Sequence, residues 1–410
     1  MTIVSRRGDY TFQYNQRQNR HGWLRLTPAY SVKLVEEITQ QIELDVGDRS
    51  IILDPFSGTA TTGLAAAQIG LTAHLLDINP FLVWFGNIKC TDYTPDELAE
   101  LECLIPIIVQ TYKRFIGHNL WLPPIHQIER WWSESTLQIL AAMHHALVEQ
   151  VGQPGIDHTG DLLWIAFCRV MIDTSAAAFN HVSMSFHEET TNHTTQTIDL
   201  FFSEIATNIL HNARYQMPGY ARVFQADSRL APPDRGVRYT HVITSPPYPN
   251  RMSYIRELRP YMYWTGFLKQ ADRAGSLDWE SIGGTWGVAT SRLKDWQPAQ
   301  SALPDGLPEL CAKIEQSHEK NGVLMGRYIY KYFHDMHQHF QNLRATLAPD
   351  ARLKYIVGNS SFYGIPVPTE KILANSLDQL GYAQIERQIV RKRNSKKELF
   401  EYCLSAVWNG

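Results

Sequence analysis

The sequence predicts a doubly wound α/β fold that is interrupted by a large, mainly helical insertion, and three observations lead to this prediction. A strand, a glycine-containing loop, a helix and a second strand follow one another from residue 50. Helical periodicity then replaces the expected third strand between about residues 95 and 216, and strand patterns resume near residue 221. Alternating strands and helices of this kind build a mostly parallel sheet with helices on both faces.

The first two strands are predicted on either side of the glycine-containing loop. RSIILDPFSGTATTGLAAAQIG predicts a strand at residues 51–53, a loop rich in Gly, Ser and Thr, and a helix over about 61–70. LTAHLLDINP predicts a second strand that closes on Asp77. Pro80 then begins another helix, because proline is favoured in the first helical turn.

The remaining elements are predicted beyond the helical region. Strand-like stretches occur at ARVFQAD (221–227) and THVITS (240–245), and a region rich in Gly and Trp from about 270 to 318 is predicted to be irregular. A helix at about 323–346 precedes the strand ARLKYIVGN and a further helix within TEKILANSLDQLGY. AQIERQIVRKR and LFEYCLSAVW predict a closing antiparallel hairpin.

Composition is that of an ordinary globular protein. Of the 410 residues, 44% are hydrophobic and 19% are charged, and the formal net charge of −3 does not by itself indicate a nucleic-acid partner. The five cysteines lie far apart without zinc-binding spacing, which favours reduced thiols in a cytoplasmic protein. The longest apolar run, LLWIAFCRVMI, is short and contains Arg169, so no membrane segment is predicted.

The loop G-T-A-T-T-G, which starts at Gly58, indicates a ligand site at the end of the first strand. A helix that opens after such a loop directs backbone N–H groups toward the carboxyl edge of the sheet. The pattern alone is weak, and a structural turn without a ligand stays an alternative. Asp77 is placed to accept hydrogen bonds from ribose hydroxyls, and Asp227 from an adenine amino group. Each aspartate taken singly fits a capping or turn role equally well.

The class of ligand is indicated by Asp54, which lies inside the loop. A nicotinamide or flavin dinucleotide would bring a pyrophosphate close to this carboxylate, and like charges repel. S-adenosylmethionine carries ribose, adenine, a sulfonium and an amino group, and it has no phosphate. The sequence therefore predicts S-adenosylmethionine as the cofactor of an acid-lined cleft.

DPFSGTATTG, with SPPY about 190 residues later, resembles the S-adenosylmethionine-dependent DNA amino-methyltransferases, specifically the cytosine-N4 type. That type typically carries SPPY, whereas the adenine-N6 type more often carries DPPY or NPPY. The family's FxGxG is FSGTA here, so Ala60 stands where a glycine is usual. RLTPAYSVKLVEEI (25–38) is similar in pattern to the family's helical motif that completes the methionine pocket.

The resemblance implies a Rossmann-like class I methyltransferase sheet and a set of functional residues. The catalytic residues it implies are Ser245, Pro246, Pro247 and Tyr248. The cofactor contacts it implies are Thr27, Asp54, Phe56, Gly58, Thr59, Thr61, Asp77 and Asp227. No metal is expected.

The resemblance also implies a division of the chain. The catalytic domain is expected in three parts, at 1–94, 217–269 and 319–410. The helical insertion at 95–216 and the irregular insertion at 270–318 separate them. Much of the target recognition is expected in the helical insertion.

The chemistry of an exocyclic amine explains the residue types in the catalytic loop. The lone pair of the cytosine amino group is delocalised into the ring, so acceptors must draw the amine protons and direct the lone pair at the methyl donor. Ser245 Oγ and the Pro246 carbonyl are the predicted acceptors, and Pro247 fixes the backbone. Tyr248 offers a ring on which a flipped base stacks.

Two other interpretations of this loop are disfavoured. A solvated proline-rich linker does not fit a position directly after the β-branched strand HVIT. Methyl transfer to carbon 5 of cytosine needs a cysteine nucleophile, which in its family usually follows a proline, and none of the five cysteines does so.

Three groups of basic residues are predicted to contact the DNA backbone. They lie in the amino-terminal segment, after the catalytic loop and in the closing hairpin: Arg6, Arg7, Arg17, Arg20, Arg25 and Lys33; Arg251, Arg256 and Arg259; Arg387, Arg391, Lys392, Arg393, Lys396 and Lys397. For the hairpin, a solvated charged turn is an equal alternative.

FNHVSMSFHEETTNHTT (179–195) and the Trp/Gly region 279–296 are candidates for base reading. The histidines of FHDMHQHF, His334, His337 and His339, are predicted to lie on a solvated helix face rather than to bind a metal.

The sequence thus predicts a cytoplasmic enzyme that methylates the N4 amine of cytosine in double-stranded DNA by base flipping and direct transfer. Adenine-N6 methylation with the same geometry stays open, as does a catalytically silent DNA-binding subunit. A cognate restriction endonuclease is a further partner to consider. The sequence is compatible with a monomer or a dimer.

Overall fold

The computed structural model describes residues 10, 12–15, 19–24, 30–46, 50–178, 185–230, 236–284, 288–297, 303–393 and 398–410. The strands in these residues are β1 (Ile51–Asp54), β2 (Thr72–Asp77), β3 (Ala177–Ala178), β4 (Ser185–Phe186), β5 (Tyr220–Gln225), β6 (Tyr239–Thr244), β7 (Leu347–Gly358), β8 (Ser360–Phe362), β9 (Ile365–Val367), β10 (Ala383–Lys392) and β11 (Phe400–Trp408).

The α-helices in the same ranges are α1 (Phe12–Asn15), α2 (Val32–Val46), α3 (Thr61–Gln68), α4 (Pro80–Lys89), α5 (Pro95–Thr111), α6 (Glu134–Val151), α7 (Asp161–Asp173), α8 (Thr195–Ala213), α9 (Tyr254–Trp264), α10 (Ala271–Glu280), α11 (Val288–Asp295), α12 (Leu307–Gln316), α13 (Gly322–Leu343) and α14 (Thr369–Gln379). Short 3-10 helices lie at Asn19–Gly22, Tyr112–Phe115, Ile128–Arg130 and Arg344–Thr346. Among the described helices, none combines the length and the apolar character needed to cross a membrane.

Seven of the described strands form the central sheet, in the order β10-β11-β7-β6-β1-β2-β5. β5, β2, β1, β6 and β7 are mutually parallel, and β11 is antiparallel to both β7 and β10. The chain passes outward from β1 to β5 and then returns to the other side of β1 at β6. The predicted Rossmann-like, doubly wound fold with its closing antiparallel hairpin is confirmed, and its topological switch point lies between β1 and β6.

The first strand–helix–strand unit forms as the sequence predicted, with α3 packed tightly on the sheet. Gly63 faces β2, and a Cβ added at this glycine would lie 2.6 Å from Leu75 Cδ1. Leu75 is fully buried. The missing side chain therefore lets the helix backbone approach the strand, and this approach positions the loop that precedes α3 at the carboxyl edge of the sheet.

The helical periodicity between residues 95 and 216 is confirmed by α5, α6, α7 and α8. α5 begins with a capping box, in which Thr94 and Glu97 each accept a hydrogen bond from the backbone N–H of the other. Trp132 lies in one hydrophobic core with Trp264 of α9, and their ring centroids are 5.9 Å apart. The helical segment is thus packed against the helix that follows the predicted catalytic loop.

The prediction of an irregular segment at 270–318 is wrong for the residues that the structure describes there, since they form α10, α11 and α12. In α12, Leu307, Cys311 and Ile314 are buried on one face and join the core that contains α13. These helices have eight to ten residues each, so apolar periodicity extends over only about two to three turns. The surrounding Gly, Trp and Pro residues therefore concealed it.

The solvated face predicted for the three histidines is wrong for His337 and His339, which are 7% and 0% exposed. His337 Nδ1 is hydrogen-bonded to Ser376 Oγ at 2.8 Å. His339 Nδ1 donates to the Ser228 carbonyl, and its Nε2 accepts from a tyrosine hydroxyl, both at 2.7 Å. Burial lowers the pKa of His339 to about 4, so the ring is a neutral part of the core. In the ranges described, no group of three or more potential ligands is placed to hold a metal ion.

Arg20 was predicted to contact DNA, but its side chain is buried at 2% exposure. The guanidinium donates to five backbone carbonyls at or just beyond the carboxyl ends of α4 and α8. The acceptors belong to Lys89, Thr91, Asn212, Ala213 and Tyr215. Carbonyls at the end of a helix lack intrahelical donors, and the helix dipole favours a cation there. Arg20 therefore joins two helices, and the prediction that it contacts DNA is wrong.

Replacing Arg20 with methionine is expected to lower the free energy of unfolding by about 3 kcal/mol, because buried carbonyls lose a charged donor. Methionine keeps an apolar stem of similar length, so the change tests the hydrogen bonds. Arg214→Met is the control, since Arg214 is half exposed and forms a surface ion pair with Glu102. Denaturant unfolding measures both variants, and equal effects would contradict the role given to Arg20.

Candidate active site

The carboxyl ends of β1, β2 and β6 meet at one edge of the sheet, and each strand ends at or beside a predicted site residue. Asp54 and Asp77 are the last residues of β1 and β2, and Ser245 directly follows β6. Thr244 Oγ1 donates to Asp54 Oδ1 at 2.5 Å. The predicted catalytic loop and the glycine-containing loop are therefore joined across the switch point, where α/β sheets bind ligands.

Asp54 is a fully buried carboxylate. Besides Thr244, the Phe56 N–H donates to Oδ1, at 3.1 Å. The hydroxyls of Tyr30 and Thr62 also lie beside the carboxylate, and their hydrogen bonds to it lower its pKa. Burial raises the pKa of Asp54 to about 6, and the hydrogen bonds oppose this rise. Asp54 thus places a buried acid at the carboxyl end of β1, where a neighbouring positive charge would stabilise its ionised form.

Asp77 holds the glycine-containing loop from the neighbouring strand. Its Oδ2 accepts from the Gly58 N–H at 2.9 Å, and its Oδ1 accepts from the Asn79 N–H at 2.8 Å. Burial raises the pKa of Asp77 to about 7. Gly58 has φ 51°, a left-handed conformation that glycine adopts at little cost. Asp77 therefore fixes the loop, and its contact with ribose stays a prediction.

Ala60 also adopts a left-handed conformation, with φ 55° and ψ 36°. This conformation costs a residue with a Cβ roughly 1 kcal/mol. The methyl group is fully buried, and a Cβ added at Gly86 of α4 would approach it to 3.2 Å. Gly86 therefore provides the room for an alanine at a position where a glycine is usual in the family that the loop resembles.

The remaining loop residues are held by groups that the sequence analysis missed. The hydroxyls of Thr59 and Thr61 lie 3.1 Å apart at the start of α3. Lys89 is buried and donates from Nζ to the Thr59 carbonyl at 2.6 Å, and burial lowers its pKa to about 7. Phe56 packs edge-on against His339, with ring centroids 5.0 Å apart. The sequence feature that could have identified Lys89 as a buried residue is its position at the end of the apolar helix FLVWFGNIK.

Asp227 lies at the same edge, two residues beyond β5, and its carboxylate is already paired. Arg229 Nε is 3.0 Å from Oδ1 and Nη2 is 2.7 Å from Oδ2. Arg229 also pairs with Asp335 of α13 at 3.4 Å. Only the remaining lone pairs of Asp227 are available to the adenine contact, which stays a prediction.

Ser245 Oγ donates to the Ile356 carbonyl of β7 at 3.0 Å. This bond turns the hydroxyl proton into the sheet and leaves the lone pairs of Oγ as acceptors. Pro246 is buried, and Pro247 is half-buried beside Gly283, where an added Cβ would lie 3.7 Å from Pro247 Cβ. The loop is thus held between β7 and the turn after α10.

Tyr248 is held on two sides. Its hydroxyl donates to Oε1 of Glu401 on β11 at 2.8 Å, and the Arg393 guanidinium lies over its ring, 5.1 Å from the centroid. Gly358 leaves room for this arrangement, because a Cβ there would lie 2.7 Å from Arg393 Cζ and 2.8 Å from Tyr248 Cδ2. One face of the predicted stacking ring is therefore covered, and Glu401 is a further residue that the sequence analysis missed.

Tyr30 brings the amino-terminal stretch to the glycine-containing loop. Its hydroxyl is hydrogen-bonded to that of Thr62 in α3. Burial, and then the charge of Asp54, raise the pKa of Tyr30 well above its usual range. Residues 30–38 of the stretch predicted to complete the cofactor pocket thus lie beside the loop. The predicted contact Thr27 lies outside the described residues.

The basic residues predicted to contact DNA have different surroundings. In the hairpin, Arg391 and Arg393 contact Glu401 and Tyr248, and Lys392 pairs with Glu398 at 3.0 Å. The following are exposed or half-buried: Lys33, Arg251, Arg256, Arg259 and Arg387. The following lie outside the described residues: Arg6, Arg7, Arg17, Arg25, Lys396 and Lys397.

The two stretches predicted to read bases are described in part. Residues 186–190 of the first stretch line a cavity of about 650 Å³ together with Glu129 and Arg130. Three of the lining residues are glutamates, so a phosphate backbone is not favoured inside it. In the second stretch, Trp279 lies over the Lys331 ammonium at 4.8 Å. Which stretch reads bases stays a prediction.

The fold is that of a Rossmann-like α/β protein, with Asp54 and Asp77 at the edge of the sheet where such proteins form a ligand-binding crevice. The chain is 21% identical over 446 aligned positions to the Type II methyltransferase M.BsoBI of Geobacillus stearothermophilus, and the alignment covers 96% of this chain and 84% of that protein. No protein-family model matches the chain. Because the alignment covers nearly the whole chain, the similarity includes the helical segment as well as the sheet.

Proposed function

We propose that this protein is a DNA methyltransferase that uses S-adenosylmethionine and acts on the N4 amine of cytosine. The main observation behind the proposal is that the buried carboxylate of Asp54 is hydrogen-bonded to the residue just before Ser245, whose hydroxyl oxygen can accept a hydrogen bond. Thr244 bonds to Asp54, and the next residue, Ser245, turns its proton toward β7. A group suited to a cation and an acceptor for amine protons thus lie on adjacent strands. The similarity to a methyltransferase over 96% of the chain supports the proposal.

The crevice suits the charge of S-adenosylmethionine. Asp54 is a fully buried carboxylate beside the hydroxyls of Thr244, Thr62 and Tyr30, and burial of its negative charge costs free energy that a positively charged ligand would offset. Asp77 is only partly buried and keeps lone pairs beyond its two backbone hydrogen bonds, which ribose hydroxyls can use. When bound, the cofactor supplies a methyl group carried on a positively charged sulfur.

The residues of the catalytic loop orient the acceptor amine. Ser245 Oγ and the Pro246 carbonyl accept hydrogen bonds from the two amine protons, which turns the nitrogen lone pair out of the plane of the base. Neither Pro246 nor Pro247 has an N–H that competes for these acceptors. Tyr248 supplies an aromatic surface for a base that has left the duplex stack. The loop therefore acts by orientation, without a covalent intermediate.

Cytosine is preferred to adenine in this proposal because the loop begins with serine, as in the cytosine-N4 enzymes that it resembles. Double-stranded DNA is the proposed substrate, and residues 95–216 are proposed to carry much of the sequence recognition. A cytoplasmic location and a cognate restriction endonuclease belong to the same proposal.

The test is to incubate the protein with unmethylated DNA and methyl-labelled S-adenosylmethionine and then digest the DNA to nucleosides. The proposal predicts label in N4-methylcytosine. Label in N6-methyladenine would replace the cytosine assignment with the adenine one. Protein that binds DNA but transfers no label would favour a catalytically silent DNA-binding subunit.

The affinity for S-adenosylmethionine is expected to rise between about pH 5 and pH 8. Burial raises the pKa of Asp54 to about 6 and that of Asp77 to about 7, so both carboxyls gain charge over this range. The cationic ligand favours the ionised form of Asp54, and its binding is therefore linked to proton release. Calorimetric titration at several pH values measures the slope. An affinity that does not change with pH would contradict this coupling.

A further inference from the structure

Glu401 is a buried carboxylate that the proposed chemistry leaves without a role. It is 5% exposed and lies opposite Gly358 in the register of β11 and β7. β11 is antiparallel to its neighbour β7, so its first residues lie at the edge where the parallel strands end. Glu401 therefore reaches the catalytic loop although 153 residues separate it from Tyr248.

A line of polar contacts joins Glu401 to Ser245. Arg391 Nε donates to Glu401 Oε2 at 2.6 Å, which fixes the orientation of the carboxyl group. Glu401 Oε1 accepts from the Tyr248 hydroxyl at 2.8 Å, and that hydroxyl is 3.4 Å from Ser245 Oγ. The predicted amine acceptor and the predicted stacking ring are thus held in one arrangement.

The ring of Tyr248 is restrained from its face as well. Arg393 lies over it, 5.1 Å from the centroid, and also donates to the Asn359 carbonyl. Burial, and then the charge of Glu401, raise the pKa of Tyr248 well above its usual range, so the phenol stays a donor at physiological pH. With Arg393 in place, a flipped base has only the opposite face of the ring on which to stack.

We infer that Glu401 is a positioning residue for the target base, because it fixes the Tyr248 ring in the orientation that brings the stacked base's amine to Ser245. This inference rests on the proposed function. Stacking alone tolerates many orientations of a base on an aromatic ring. Productive transfer needs the amine at one place, and small displacements of reacting groups are costly in rate. Glu401 therefore acts on kcat more than on the binding of DNA or cofactor.

A double-mutant cycle of Glu401→Ala and Tyr248→Phe tests the inference. Each change is expected to lower kcat about tenfold, because each removes the hydrogen bond between a phenol and a charged acceptor. The KM for DNA and the Kd for S-adenosylmethionine should change by less than about twofold in both. The kcat of the double variant should be no lower than that of the less active single variant, because both substitutions remove the same hydrogen bond. Glu401→Gln keeps an acceptor and should recover part of the rate.

The control is Glu398→Ala, which removes the ion pair with Lys392 from the same hairpin without touching Tyr248 and should keep the wild-type rate. Effects of Glu401→Ala and Tyr248→Phe that multiply in the double variant would overturn the inference, because Glu401 would then act through the stability of the hairpin. Wild-type protein that transfers no methyl group to DNA would overturn the proposed function and the inference with it.

Discussion

Replacing Ser245 with alanine is expected to lower kcat for methyl transfer by about 10²- to 10³-fold, as the loss of one oriented hydrogen-bonding group at a reacting centre typically does. The hydroxyl proton is donated to the Ile356 carbonyl, so what the substitution removes from the substrate is an acceptor for an amine proton. The proposed cofactor contacts are Asp54 and Asp77 instead, so cofactor affinity should change by less than about twofold. Single-turnover rates and calorimetric titration separate the two quantities.

The matched control is Ser175→Ala at the end of α7. Its hydroxyl also donates to a backbone carbonyl, that of Ile172 at 2.7 Å, so the loss to the fold is comparable. This control should keep the wild-type rate. A Ser245→Ala variant that methylates DNA as fast as the wild type would show that the hydroxyl does not accept the amine proton.

Asp54→Asn is expected to affect cofactor binding and stability in opposite directions. The amide oxygen can still accept from Thr244 and Phe56, so the variant removes charge with little change of shape. Cofactor affinity should fall by about 30-fold or more, because a buried charge pair is lost. Without cofactor, the variant should be more stable than the wild type at pH 8 by about 1 to 3 kcal/mol, since burial raises the pKa of Asp54 from 3.8 to about 6.

The sign of the stability effect follows from proton binding. The folded protein holds the Asp54 proton more tightly than the unfolded chain does, so this stabilisation is present below about pH 4 and is lost as the pH rises through about 6. Asparagine cannot ionise, and the gap between the variant and the wild type should therefore close at low pH. Denaturant unfolding of both proteins at pH 8 and at about pH 4 measures this difference in stability.

Glu370→Gln is the control for Asp54→Asn. Burial raises the pKa of Glu370 as well, but this residue belongs to α14 and not to the crevice. The control should gain stability without losing cofactor affinity. Cofactor affinity unchanged in Asp54→Asn would remove the carboxylate from the proposed binding site.

The strands and loops at the switch point could be predicted because their signals are local. The strand ending at Asp54, the left-handed turn at Gly58 and the strand ending at Asp77 all follow from short patterns. The two prolines after β6 likewise fixed the position of the loop that contains Ser245. The parallel order of the strands then brings these residues together without further information.

The residues that support the site could not be predicted, because their partners are distant in the chain. Glu401 meets Tyr248 through an antiparallel strand, and Lys89 reaches the Thr59 carbonyl from the end of α4. Arg20 was assigned to DNA from its charge alone, whereas its carbonyl acceptors on α8 lie about 190 residues away in sequence. Charge in a sequence does not distinguish a cation at the surface from one that satisfies buried carbonyls.

We propose that the edge of the sheet between β1 and β6 directs a methyl group to cytosine N4 in DNA. The most direct test is to sequence the modified bases in DNA from cells that express the wild type and, in parallel, the Ser245→Ala variant. We expect N4-methylcytosine within one short sequence context in the wild type and none above background in the variant. DNA with the same modified bases in both cells, or with none in either, would contradict it.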